Sequence, residues 1–151
     1  SFFFSQNTVD WTTKSGWRLD LKVATAGNAG EMLINPMSIR GQSLLLSTIT
    51  PNSDPCSDGV GSWQYAIDPY TGGRTKFNVF DLDNSKVINS DDSYKQTGQA
   101  DVVITGYKKD GSGGFTTNNE EIFTSPDGTG MKYSPGPTSK GRQSWRAIEA
   151  P

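Results

Sequence analysis

Histidine is missing from this 151-residue sequence. Its absence removes the commonest general base and the usual zinc and copper ligand. Cysteine occurs once, as Cys56, so no disulfide can close within the chain; in an exported protein a lone cysteine suggests a partner outside the segment. No run of about 18 to 20 apolar residues exists, which leaves no candidate for a membrane-spanning helix. The start, Ser1-Phe2-Phe3-Phe4, lacks the basic region and cleavage site of a signal peptide, as expected of a mature or excised piece. Positive charge is not in excess either: the formal net charge is −2, which argues against nucleic acid as a partner, because phosphate binding needs a basic surface.

What remains is turn-rich and thinly apolar. Seventeen glycines and eight prolines stand against 32% hydrophobic residues. Strand signals dominate. Gly16 to Val23 alternates large apolar with polar side chains from Trp17, as a half-buried strand does. Ser43 to Ile49 is a short apolar run suited to an inner strand, and Ser62 to Asp68 and Lys76 to Phe80 flank a turn whose Gly72 and Gly73 supply positive φ. Further strands are expected at Val102 to Tyr107, Glu121 to Thr124, Met131 to Tyr133 and Ser144 to Ile148. No window has a sustained helical period; Glu31 to Ile34 and Ser90 to Tyr94 offer about a turn each. Thr25 to Gly30 and Lys109 to Asn119 read as exposed glycine-rich loops. The class is all-β and antiparallel. The unit from Ser38 to Phe80, roughly 40 residues, has the length of one propeller blade, and a chain of this size holds too few blades to close a ring. Its sheets are therefore expected to be completed by the rest of a longer chain or by a neighbour, with Phe2, Phe3, Phe4 and Trp11 in that contact. Residues 1–15 form an apolar segment of unclear role, and residues 16–151 the propeller-like region.

Two features bear on chemistry. Paired acids occur at Glu120-Glu121 and Asp91-Asp92, but neighbours on a strand point to opposite faces, so they are poor candidates for the facing pair of a glycosidase. The stretch from Phe80 to Asp92 has the outline of a calcium loop. With Asp81 at position 1, Asp83, Ser85, Val87 (through its carbonyl), Asn89 and Asp92 fall at positions 3, 5, 7, 9 and 12, and Ile88 takes the apolar position 8. Lys86 stands where such loops carry glycine, Ser85 replaces a carboxylate, and Asp92 is a methylene shorter than glutamate.

Several stretches, in order, resemble one family: Gly16-Trp17-Arg18-Leu19-Asp20-Leu21; Thr50 to Cys56, with its Asp54-Pro55-Cys56 turn; Gly61-Ser62-Trp63; Ile67-Asp68-Pro69-Tyr70-Thr71-Gly72-Gly73-Arg74; Phe80-Asp81-Leu82-Asp83; and Gly141 to Arg146. Together they look like the C-terminal part of the PilY/PilC family, adhesins and biogenesis factors associated with the tip of type IV pili. The resemblance implies a modified β-propeller cut from a far longer protein, an extracellular location at the pilus tip, and a non-enzymatic role in adhesion, pilus assembly and twitching motility. It also implies calcium sites that tune the pilus, with the rest of the adhesin chain, minor pilins and a surface receptor as partners. Two other readings compete. One is a self-assembling or strand-complementing subunit of an extracellular fibre. The other is a fragment of a propeller-type glycosidase or quinoprotein.

Overall fold

A computed structural model describes residues 3–21, 30–51, 61–110, 114–115, 121–123 and 130–136. The architecture is two antiparallel sheets. The larger contains β1 (Met32–Leu33), β2 (Ser38–Arg40), β3 (Ser43–Thr50), β4 (Gly61–Ile67) and β5 (Gly106–Asp110) in the order β1-β3-β4-β5, with β2 also on β3. The smaller runs β6 (Gly114–Phe115), β7 (Glu121–Phe123), β8 (Gly130–Lys132). A single 3-10 turn, Ser90–Asp92, is the only helical element among the described residues.

The centre is the β3–β4 pair. Leu44 faces Ile67, Leu45 faces Ala66 and Leu46 faces Tyr65 across the ladder. Successive side chains of a strand point to opposite faces, so an unbroken Leu44-Leu45-Leu46 run demands cover on both. One face buries Leu45 and Ala66 with Val79, Phe80, Ile104, Met131 and Tyr133, against which Phe77, Leu82 and Phe115 pack. The other buries Leu44, Leu46, Tyr65 and Ile67 beneath Phe4, Trp17, Leu19 and Leu21. Polar side chains between these apolar layers are paired: Ser47 Oγ donates to Gln64 Oε1, and the Thr48 and Tyr65 hydroxyls both donate to Glu31.

Several expected strands are present with shifted ends. Ser43 to Ile49 is β3, Ser62 to Asp68 is β4, and β7 and β8 fall within the two downstream segments. Others differ. Residues 16–21 alternate in burial as expected but pair with no strand; they lie extended on a sheet face, held by packing and by Trp17 Nε1 donating to the Pro69 carbonyl (2.8 Å). Lys76 to Phe80 makes only an isolated bridge, Phe80 with Tyr133. The ladder expected at Val102 to Tyr107 begins instead at Gly106, and Val102 bridges Tyr94. Glu31 to Ile34, expected as a helical turn, contributes β1, while Ser90 to Tyr94 does supply the 3-10 turn. β6 lies within the glycine-rich segment expected as a loop. The closed ring of a propeller is not what the described residues form: the larger sheet is open at both edges. Cys56, Phe2, Trp145 and the strand expected at Ser144 to Ile148 lie outside the described residues.

Residues 3–21 cross the Thr71–Arg74 turn as a strap. Arg74 donates its backbone N–H to the Ser5 carbonyl (3.1 Å) and its guanidinium to the Phe4 carbonyl (2.8 Å), with the Phe3 ring 5.9 Å from the guanidinium carbon. Phe4 N–H donates to Thr105 Oγ1 (2.8 Å), and its ring packs on Tyr65. Phe3 and Trp11 stay exposed. Gly72 has φ +68°, and an added Cβ there would sit 2.3 Å from the Trp17 ring; at Gly73 it would sit 2.2 Å from the Ser5 carbonyl oxygen. The turn therefore requires glycine twice, both times to let the strap approach.

Candidate metal centre

Phe80, Asp81 and the residues just before them are tied to the end of β8. Phe80 bridges Tyr133, Asp81 N–H donates to the Lys132 carbonyl (3.0 Å), and Ser134 N–H donates to the Val79 carbonyl (2.8 Å). The chain then turns out and back, and returns through the 3-10 turn. Asn89 caps that turn: its side chain accepts from Asp91 N–H (2.6 Å), and its own N–H donates to Asp92 Oδ2 (2.9 Å). This reciprocal box fixes Asp92 over the loop.

The three carboxylates among the six expected ligands converge. One carboxylate oxygen from each of Asp81, Asp83 and Asp92 lies within 4.8 Å of the others. Asp81 and Asp92 are buried, each 1% exposed, and Asp83 is open to solvent. Asp81 accepts from Ser85 N–H (3.0 Å) and Lys86 N–H (2.9 Å); Asp92 accepts from Leu82 N–H (2.7 Å); Asp83 accepts from Ser85 N–H (2.9 Å). The Ser85 hydroxyl, then its backbone N–H, hold the Asp83 carboxyl below its usual range. The other three candidates are engaged differently. Ser85 Oγ donates to the Val87 carbonyl (3.0 Å), which ties positions 5 and 7 to each other, and the Asn89 side chain serves the cap.

Lys86 resolves the objection that its residue type raised. Its φ is +70°, the left-handed conformation for which calcium loops use glycine at this place, and Asn84 has φ +59°. The loop adopts that backbone shape without the residue that makes it inexpensive. The Lys86 ammonium donates to Asn84 Oδ1 (3.2 Å), and Lys132 Nζ donates to the Lys86 carbonyl (3.0 Å). Sequence reasoning missed Lys132, since nothing in its own surroundings marks it. No Lys or Arg nitrogen among the described residues pairs with Asp81, Asp83 or Asp92; the ion pairs are Arg18–Asp20, Lys95–Asp91 and Lys95–Asp101. Three carboxylates, two of them buried, lie together with no ion-paired Lys or Arg among the described residues. Such a set fits a hard cation.

Comparison with known proteins places this geometry. No family model matches the chain. The type IV pilus biogenesis factor PilY1 of Pseudomonas aeruginosa is 47% identical over 96% of this chain, and its homolog in Xylella fastidiosa is 31% identical over 90%. The crystal structure of the Pseudomonas aeruginosa PilY1 C-terminal domain superposes with a TM-score of 0.71 at 39% identity, over 88% of this chain and 27% of that one. The chain belongs to the PilY/PilC family and matches its C-terminal domain. It spans 13% of the length of the Pseudomonas relative and 11% of the Xylella one. PilY1 relatives are named as pilus biogenesis factors, so type IV pilus association is the common ground, and the alternative of a propeller-type enzyme fragment finds no counterpart among them.

Proposed function

We propose that this chain is a non-catalytic module of a larger pilus-tip adhesin, that it contributes to pilus assembly and surface attachment, and that the Asp81–Asp92 loop modulates it by weak binding of calcium. The observation that carries the metal part is the convergence of Asp81, Asp83 and Asp92 without an ion-paired basic residue among the described residues, on a backbone that holds positive φ at Lys86. Asp81, Asp83 and Asp92 would supply the charged ligands, with Ser85, Val87 and Asn89 as the neutral oxygens of the register once the cation draws them from their hydrogen bonds within the loop. A bound calcium ion would offset two of the cluster's three negative charges and lock the loop against β8. The affinity expected of such a reduced ligand set is on the order of 10⁻⁴–10⁻³ M, as in extracellular modules. The family relation supports the pilus part. A modified propeller, whose further blades belong to the rest of the adhesin chain, is the arrangement that would cover the open sheet edges. Minor pilins and a surface receptor complete the proposed partners.

Genetic complementation tests this reading. The larger adhesin carrying Asp83→Asn plus Asp92→Asn should restore a strain lacking it less well than wild type, with surface pili and attachment counted separately. Full restoration of both by the double variant would remove calcium from the proposal. Failure of wild type itself to restore pili would remove the pilus role.

A further inference from the structure

A cavity of about 750 Å³ opens at the surface, lined by Trp11, Tyr70, Phe77, Asp68, Gln42 and Lys76 among others. Its size falls within the roughly 300–1,000 Å³ of ordinary ligand sites. Two of its aromatics are largely exposed, Trp11 by 54% and Tyr70 by 73%.

Each of these rings is presented by a turn built around an aspartate. Asp10 accepts from Thr12 N–H (3.0 Å) and from the Thr12 and Thr13 hydroxyls, while Lys14 N–H donates to its carbonyl (2.9 Å), so Trp11 stands at the corner of a locked turn. Asp68 Oδ1 accepts from Tyr70 N–H (2.9 Å), Gly72 N–H closes onto the Asp68 carbonyl (2.9 Å), and the strap's Trp17 holds the Pro69 carbonyl. Phe77 forms part of the wall, seated against Gly136, where an added Cβ would come within 2.3 Å of the ring. Exposed rings on pre-formed turns lose little entropy when a ligand covers them. The polar groups beside them are free to bond: Asp68 Oδ2, the Gln42 carboxamide and the Lys76 ammonium have no hydrogen-bond or ion-pair partner among the described residues.

We propose that this cavity is a binding site for an uncharged saccharide. The chemistry of the lining matches one. A sugar ring has an apolar C–H face for an aromatic platform and a rim of hydroxyls that both donate and accept. Asp68 accepts, Lys76 donates and Gln42 does both. One carboxylate and one ammonium leave the site without net charge, so neither an anion nor a cation is favoured over a neutral polyol. The inference rests on the cavity alone and stands whether or not the pilus reading does.

Saturation-transfer NMR on the 151-residue chain tests it, with methyl glucoside, methyl galactoside, N-acetylglucosamine and lactose as uncharged probes, N-acetylneuraminic acid as the anion and glucosamine as the cation. At least one uncharged sugar should receive saturation, and Trp11→Ala and Tyr70→Ala should each weaken it about five- to tenfold, the worth of one aromatic contact. Tyr94→Ala, which removes an exposed aromatic outside the cavity, should change nothing. Circular dichroism of each variant confirms that folding is retained. No transfer to any uncharged sugar overturns the proposal, as does binding that survives both cavity variants. Selective binding of the anion, lost on Lys76→Ala, assigns a different class of ligand and also overturns it. Concentration-dependent self-association abolished by Trp11→Ala would make the cavity a contact between chains instead.

Discussion

Tyr65 and Glu31 meet across the strap-covered face, and their contact makes a prediction at the residue scale. Burial first, and the Glu31 carboxylate second, push the Tyr65 hydroxyl well above its ordinary value of 10.0. The folded state therefore keeps the proton that the unfolded chain loses. The stability this contributes is complete below about pH 10 and is lost as pH rises through and beyond that value. Tyr65→Phe should cost about 1.5–3 kcal/mol at pH 7, the worth of a hydrogen bond to a charged acceptor, and should flatten the fall in melting temperature between pH 9 and 11. An equally steep alkaline fall in the variant would place the sensitive group elsewhere. At Lys86 the strain is in the backbone. Lys86→Gly removes a left-handed conformation that costs a side-chain-bearing residue roughly 1–2 kcal/mol, partly offset by the freer unfolded chain. A rise in melting temperature of about 1–4 °C is expected without metal, and tighter calcium binding with it. The identity of position 86 was readable in the sequence, but its φ was not: residue type predicts the cost of a conformation, whereas the surrounding hydrogen bonds to Asp81 decide whether it is adopted.

At the scale of elements, the Thr71–Arg74 turn and the strap stand or fall together. Gly72→Ala adds both a clash with Trp17 and positive-φ strain, and Gly73→Ala a clash with a backbone oxygen, which cannot swing aside. Each should destabilise by about 2–4 kcal/mol and open residues 3–21 to protease. Gly98→Ala is the comparison: its φ is also positive, at +75°, but its Cβ would meet open space, so only the strain of about 1–2 kcal/mol remains. Protease resistance of the strap in Gly73→Ala would show that its docking does not depend on this turn. The strap also explains why Gly16 to Leu21 read as a strand. Alternation of apolar and polar residues reports alternating burial, and an extended segment lying flat on a sheet satisfies it without a ladder. β3 and β4 were legible because their apolar residues are buried on the sheet itself. β1 and β6, of two residues each, carry too few side chains to show any period.

For the whole molecule, the two edges of the larger sheet contrast. β5 carries Lys108, the kind of charge with which natural sheets guard an edge. The β1–β2 side exposes Met32, Leu33, Ile34, Met37 and Ile39. A contiguous apolar rim of this kind marks a contact, in keeping with a chain that spans 13% of its relative's length. The isolated chain should self-associate through this rim in sedimentation, and Ile34→Lys with Met37→Lys should reduce that association while leaving thermal stability within about 0.5 kcal/mol; a monomeric wild type, or association unchanged in the variant, would exonerate the rim. All-β class and the acidic loop could be read from the sequence because each depends on local spacing, and family membership because several motifs, in order, resemble one family. The hydrogen bonds that engage Ser85, Val87 and Asn89 within the loop could not, since no spacing reveals them. The central claim is that the Asp81–Asp92 loop binds calcium, and calorimetric titration of the chain with millimolar Ca²⁺ tests it most directly, on wild type, Asp81→Ala and Asp83→Asn. The account predicts one site with a dissociation constant on the order of 10⁻⁴–10⁻³ M, abolished in Asp81→Ala and weakened in the solvent-exposed, fold-preserving Asp83→Asn. Absence of heat in wild type, or equal heat in wild type and both variants, would contradict it.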